Sequence, residues 1–277
     1  MTRPTDEFQN YINERTKNRQ LATNESYESA QAKEVFLIML SSLLIGRDKL
    51  TLRIDKYAKD VMQTLMTNFV IRKGGVEYEI IETEFYLYCN KHKDVTTYPR
   101  SIAPGRFWFH DSGVDITLHS HVRYKDGKID SEQSKFGGLL IRSLKRTEYK
   151  EDGAFEESYI FGPLNCIGEL WNDFDAFISD VNDYPIIDFK PQPNVTVEFE
   201  SRFYPVSEDK EKRVEKLRTL NNRYNTPVLD LCDFDAMLSR PFRAVRTDII
   251  SDPAMQVAVK SYKSRKPSLC PKSWLNE

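Results

Sequence analysis

The chain is poor in groups that would staple it covalently or anchor it in a bilayer. Four cysteines, Cys89, Cys166, Cys232 and Cys270, are scattered through 277 residues. None forms a CxxC pair, which argues against a zinc ribbon or a dithiol redox motif. Reduced thiols in a cytoplasmic protein are the simplest expectation. No apolar run reaches the roughly 18 residues that a membrane-spanning helix needs. The most apolar stretch, VFLIMLSSLLI (35–45), is shorter than that, follows a charged start and has the wrong flanks for a signal peptide. It reads as a buried helix. Excess charge of one sign is also missing: the formal net charge is −2, too small to draw the whole molecule to nucleic acid or an anionic membrane. Internal repeats, low-complexity tracts and a regular βαβ rhythm are absent. Strands and helices are interspersed, which favours an α+β fold over a doubly wound sheet.

The charge that is present is unevenly placed. Between Arg240 and Lys272 there are eight Lys/Arg against two acids, Asp248 and Asp252. That basic segment is either a solvated C-terminal extension or a surface that contacts phosphates. A second concentration lies in IIETEFYLY (80–88). On a strand, successive side chains alternate between faces. Ile81, Thr83, Phe85 and Leu87 then share an apolar face. Glu82, Glu84, Tyr86 and Tyr88 share a face that is too acidic for an ordinary core and unusually aromatic for a solvated one. This face is either the wet side of a half-buried strand or the wall of a pocket.

Along the chain, residues 1–30 are polar and predict a helix of low stability or partial disorder, and 31–45 predict the apolar helix. KYAKDVMQTLMTNFVIRK (56–73) begins with helical spacing (Ala58, Val61, Leu65) and turns β-prone at FVI. Gly74-Gly75 then joins it to VEYEIIETEFYLY (76–88), so a hairpin is expected. A loop spans 90–103. RFWFHDSGVDITLHSHVRY (106–124) has strand composition interrupted at Gly113, KDGKID (125–130) is a turn, and KFGGLLIRSLKRTE (135–148) is a strand. SYIFGPLNCIGELWNDF (158–174) reads as a Gly-Pro turn opening a helix. Further on, 194–204 predict a strand, 210–224 a charged helix and 240–249 a strand. The expected divisions are an N-terminal helical extension (1–50), an α+β domain (51–250) and a basic tail (251–277).

The order of these pieces resembles the alkyladenine (3-methyladenine) DNA glycosylase family. The resemblance begins at AKDVMQTLMTNFVIRKGGVEYEIIETEFY (58–86). There the family has a helix, a strand, a glycine turn and a strand bearing isoleucine/valine-glutamate-threonine-glutamate-x-tyrosine. APGRFWFHDSGVDI (103–116), GGLLIRSL (137–144) and FGPLNCIGEL (161–170) are similar to later family pieces in the same order, and RPFRAV (240–245) to its closing strand. The likeness covers residues 55–175 well and 176–250 poorly.

The resemblance implies a single α+β domain with a mixed, mainly antiparallel curved sheet flanked by helices. It implies hydrolysis of the N-glycosidic bond of a damaged or modified base flipped out of double-stranded DNA, with no metal and no cofactor. Glu84 matches the glutamate that holds the attacking water, Arg142 the arginine near sugar and phosphate, and Tyr86 the tyrosine that stacks on the base. Glu82, Trp108, His110 and Ser112 are the further pocket candidates. Arg106, Arg240, Arg243, Lys263, Arg265 and Lys266 are the candidate DNA contacts. No lysine falls in the matching motifs, so simple hydrolysis rather than a Schiff base is expected.

Three departures stand out. Ser112 occupies the place of the tyrosine that fills the hole left by the extruded base, leaving Phe107, Trp108 and Phe109 as candidate wedges. The loop before Pro104 looks shorter than usual, and His92 is out of register with the family's pocket histidine. A more open pocket would accept a bulky modified base, such as one in foreign phage DNA. A non-catalytic DNA- or nucleotide-binding module is the alternative. His119 and His121, which share a strand face and could join Asp115 at a metal, read more simply as surface residues.

Overall fold

The computed structural model describes residues 4–41, 54–172, 177, 180, 183–204, 209–226 and 228–275, with backbone alone for 4–8. Three helices come first: α1 (Pro4–Thr23), α2 (Tyr27–Ser41) and α3 (Ile54–Asn68). The expected end of the apolar helix at 45 and the division at 50 lie outside the described residues. Residues 4–30 are helical apart from a short break. Glu34 of α2 ties α1 down through Arg15 and Arg19. In α3, Ile54, Ala58, Val61, Met62, Leu65 and Met66 recur at helical spacing and are all buried.

The strands are β1 (Phe69–Lys73), β2 (Val76–Cys89), β3 (His92–Lys93), β4 (Phe107–His110), β5 (Gly113–Thr117), β6 (Tyr124–Lys125), β7 (Lys128–Ile129), β8 (Phe136–Tyr149) and β9 (Phe155–Phe161). They continue with β10 (Ile186–Phe189), β11 (Val197–Glu200) and β12 (Arg243–Arg246). The remaining helices are α4 (Pro163–Trp171), α5 (Lys210–Asn221), α6 (Leu231–Leu238) and α7 (Pro253–Arg265). The fold is α+β, built on an open sheet whose strand pairings are antiparallel among the described residues. Its two long strands, β2 and β8, lie side by side in the order β10-β1-β2-β8-β5-β4. β12 pairs with β2 beyond β1, and β9 pairs with the far end of β8.

One face of the sheet is covered by α2, α3 and α4, whose apolar residues join Phe85, Leu87, Leu139 and Ile141 in the main core. The other face carries two separate clusters. Ile81, Phe161 and Val245 pack beneath α7 and Trp274. Tyr88 and Phe136 pack beneath α5 and α6. The basic segment is therefore folded against the sheet for much of its length instead of trailing in solvent. Asp252 caps α7 by accepting from the Ala254 N–H at 2.8 Å, and Pro253 occupies the first turn, where its missing N–H costs nothing.

Several elements differ from expectation. Within 106–124 the interruption at Gly113 is a hairpin that spans 107–117: β4 and β5 pair from Phe107↔Ile116 to His110↔Gly113, leaving Asp111 and Ser112 as the turn. Gly113 sits at φ 154°, and a Cβ there would lie 2.6 Å from Leu140 Cδ1 and 2.8 Å from Pro163 Cβ. Only glycine lets the hairpin approach β8 so closely. SYIF (158–161) belongs to β9, and the helix opens at Pro163. Strand β10 and helices α6 and α7 were not anticipated: their segments are short or lack a clear apolar stripe.

Candidate functional site

The polar site lies on the second face of the sheet, between the two clusters there. It originates in a break in the β2–β8 register. Ile80 pairs with Leu144, Glu82 with Ser143, and Thr83 with Ile141, so one residue is extra on each strand in turn. Such bulges put neighbouring side chains on the same face. Ile81 accordingly joins the cluster under α7 and does not share a face with Phe85 and Leu87 in the main core, contrary to simple alternation. On β8, the consecutive residues Arg142 and Ser143 both reach Glu82. Beyond the break, Glu82, Glu84, Tyr86 and Tyr88 share the second face, as their spacing implies.

Glu82 and Glu84 have no exposed surface. Glu82 accepts from Arg142 Nε at 2.8 Å, Ser143 Oγ at 2.5 Å and Arg243 Nε at 2.8 Å, with Arg243 Nη2 at 2.6 Å. Burial alone would push its carboxyl up, but the guanidiniums of Arg243 and Arg142 overcome it and hold the group below its ordinary value. Glu84 differs. Its Oε2 accepts from Arg142 Nη1 at 3.2 Å and from the Tyr86 hydroxyl at 2.8 Å, while Oε1 is buried with no partner. Burial, and then the Glu84 charge, raise the Tyr86 phenol well above its usual value, so the hydroxyl stays a donor.

Arg202 lies over the Tyr86 ring, 4.1 Å from its centroid, and pairs with Asp94 at 2.8 Å. Asp94 also accepts from Thr96 N at 3.0 Å and Thr96 Oγ1 at 2.5 Å. The first Tyr86 face is thus fixed by a cation. Tyr86 and Arg142 together line a cavity of about 410 Å³ that also meets Tyr98, His110, Asp115, Phe203, Tyr204, Lys216 and Arg223. Its wall mixes the rings of Tyr86, Tyr98, Phe203 and Tyr204 with charged and apolar residues, and its size is within the range of small-molecule pockets.

A third polar group borders the same cavity. His110 Nε2 is 3.3 Å from Asp115 Oδ1, and its Nδ1 accepts from the Ser112 N–H at 3.3 Å, so the neutral ring carries its proton on Nε2, toward Asp115. The other Asp115 oxygen pairs with Arg100 at 2.6 Å. Arg100 in turn lies 4.3 Å over Trp108, and Trp108 and Tyr98 flank the His110 ring.

The structure therefore brings Tyr86, Arg142, His110 and Ser112 to the wall of one cavity, with Trp108 packed on His110. Glu82 and Glu84 do not line it but lie fully buried, linked to it through Arg142 and Tyr86. It does not gather the candidate DNA contacts. Arg243 is 3 % exposed and serves as an internal partner of Glu82, because β12 docks beside β2. Arg240 pairs with Asp55 at 3.2 Å. Arg106 borders a different cavity, of about 340 Å³, near Arg19 and Lys33. Lys263 and Arg265 lie in the last turn of α7, and Lys266 follows it.

Phe109 is 49 % exposed on β4, and both it and Phe107 meet Trp171 edge-on. Away from the cavity, His92 is buried against Phe242. His121 Nε2 contacts the Gln133 carbonyl at 2.9 Å, and Asp115 is engaged elsewhere. No group of metal-ligating side chains occurs among the described residues. Sequence reasoning missed Arg202, Asp94, Arg100, Tyr98, Lys216 and Arg223. Asp94, Tyr98 and Arg100 stand in HKDVTTYPR, a loop whose density of charge and hydroxyls was the available signal.

Fold and site together define an α+β domain with a buried carboxylate–arginine centre beneath an aromatic cavity. No family model and no solved structure matches the chain. Over 137 residues it is 28 % identical to the uncharacterized protein L759 of Acanthamoeba polyphaga mimivirus, across 44 % of this chain and 59 % of that protein. The chain thus spans little more than half the length of that relative. No helix among the described residues is long and apolar enough to cross a membrane.

Proposed function

We propose that the protein is a monofunctional DNA glycosylase that hydrolyses the N-glycosidic bond of a damaged or modified base turned out of the duplex. One observation carries this reading: Glu84 keeps a buried carboxylate oxygen without a partner, while its other oxygen is held by Tyr86 and Arg142, both of which line the cavity. A buried polar atom without a partner is rare and costs about 1–3 kcal/mol. A bound water aimed at C1′ of the sugar would supply the missing partner. Glu84 then orients the water and takes its proton as the oxygen attacks, and the C1′–N bond breaks with the electron pair leaving on the base. Arg142 fixes Glu84 and stands beside the sugar. Tyr86, pinned from behind by Arg202, presents its free face to the base. Stacking of this kind contributes about 1–3 kcal/mol per base. The open cavity beside the Ser112 turn suits a bulky modified base, including one borne by foreign DNA, and reduced thiols fit a cytoplasmic setting.

A second reading, a binding module without catalysis, is favoured by one observation: Glu84 has no exposed surface and its Oε2 is already shared by Arg142 and Tyr86. One experiment separates the two. The protein is incubated with duplexes carrying different modified bases, and free bases and abasic sites are measured by mass spectrometry. Release by the wild type and none by Glu84→Gln, with DNA binding kept, supports the glycosylase. Binding without release by the wild type supports the module.

A further inference from the structure

The far wall of the aromatic cavity is α5, a helix with more charge than the fold requires. Leu217 and Leu220 bury it against the cluster around Tyr88 and Tyr224. Of its other cations, Arg213 pairs with Asp235 and Arg218 with Glu215, while Lys210 and Lys212, in the first turn, do not line the cavity. Lys216, and Arg223 just beyond the helix, stand apart. Both are exposed, both line the cavity, and neither has an ion-pair or side-chain hydrogen-bond partner among the described residues. Arg223 is close enough to act electrostatically on the phenols of Tyr98 and Tyr204, which line the same space. The cavity is therefore polarised. Its depth holds Tyr86 and balanced, buried ion pairs, and its α5 wall offers two free positive charges a few residues apart on a packed element. An aromatic slot with uncompensated cations at one wall matches a nucleotide: a flat base for the rings, and an anion for the lysine and the guanidinium.

We infer that Lys216 and Arg223 bind the phosphate of the nucleotide whose base occupies the cavity, making α5 a phosphate-contacting element of the protein. This deepens the reading of the cavity as a base pocket and rests on it. The phosphate belongs either to a free nucleotide or to a DNA backbone.

The test measures binding alone. Three ligands are titrated across a salt series: a 5′-deoxynucleoside monophosphate, its nucleoside, and a duplex carrying an abasic-site analogue. Each is compared between the wild type and Lys216→Gln/Arg223→Gln. Both side chains are exposed and unpartnered, so an unchanged melting midpoint is expected and serves as the folding control; Lys216→Ala/Arg223→Ala is the second variant. The inference expects the variants to lose about tenfold or more in affinity for a phosphate-bearing ligand at low salt, with the nucleoside unaffected. For DNA, the dependence of log affinity on log salt should flatten by about one unit per residue.

Loss toward the monophosphate identifies a free nucleotide. Loss toward the duplex alone identifies a backbone phosphate. Wild-type affinity of both variants for both phosphate ligands overturns the inference, as does failure of the wild type to bind either. A protein that binds through these two residues but frees no base leaves this inference standing and removes the hydrolase reading.

Discussion

Glu84 and Glu82 stand two residues apart on one strand, equally buried, yet their surroundings assign them different work. Every approach to Glu82 is filled by Arg142, Ser143 and Arg243. Removing one member leaves a buried charge uncompensated, a loss of about 3–5 kcal/mol. Arg243→Met should therefore lower the urea midpoint sharply; a midpoint equal to wild type would mean that Arg243 is not the internal partner described. Glu84 retains an oxygen without a partner, and on the proposed reading Glu84→Gln should abolish base release. It also removes a buried charge facing Arg142, which keeps Glu82, so the urea midpoint should fall as well. Tyr86→Ala should weaken handling of the extruded base, and unchanged turnover would remove its stacking role. His92 sets a pH dependence. Burial pushes its imidazole from 6.5 down to about 4, against the pull of Asp94. The unfolded chain takes up that proton more readily, so the stability contributed by the neutral ring is complete above about pH 6.5. It is lost as pH falls toward about 4, by at most about 3 kcal/mol. Urea titrations of His92→Leu should be flatter than wild type over this interval; parallel curves would show that the ring titrates normally.

At the scale of elements, the hairpin β1–β2 and its acidic-aromatic face were legible because alternation and the Gly74-Gly75 turn are local properties. Helix α3 was legible for the same reason: its buried residues repeat at helical spacing. The bulge was not. Nothing in IIETEFYLY distinguishes a regular strand from one with an extra residue, because the shift is imposed by pairing with β8, and so Ile81 was placed on the wrong face. Arg243 was misread as a surface cation because its partner, Glu82, is far away in sequence and met only through β12. The turn at Ser112 was hidden inside a stretch of strand composition. Gly113 marked it, and Gly113→Ala should cost stability, since the new Cβ would collide with Leu140 and Pro163 at a backbone angle that side chains avoid. A melting midpoint at wild-type level would mean that the hairpin can retreat from β8. The exposed end of α7 is a separate matter: replacing Lys263, Arg265 and Lys266 with alanine should reduce the salt dependence of DNA binding, and an unaltered slope would confine phosphate contact to α5.

Over the whole molecule, the sheet divides the labour between its faces. The face under α2, α3 and α4 is a continuous apolar core. The opposite face is apolar only at its two ends, and between them it buries charged groups that would be costly if left alone. What keeps solvent from Glu82 on one side is the last part of the described chain. Trp274 is buried beside Phe161 and donates from Nε1 to the Arg246 carbonyl at 2.8 Å, and Arg243 Nη2 donates to the Leu269 carbonyl at 2.6 Å. A growing polypeptide leaves the ribosome with β2 long before these residues. Until they emerge, the seam beside Glu82 stays open to water, and a nascent chain stalled before residue 250 would also leave Ile81, Phe161 and Val245 uncovered, the kind of apolar surface that makes incomplete chains prone to aggregate.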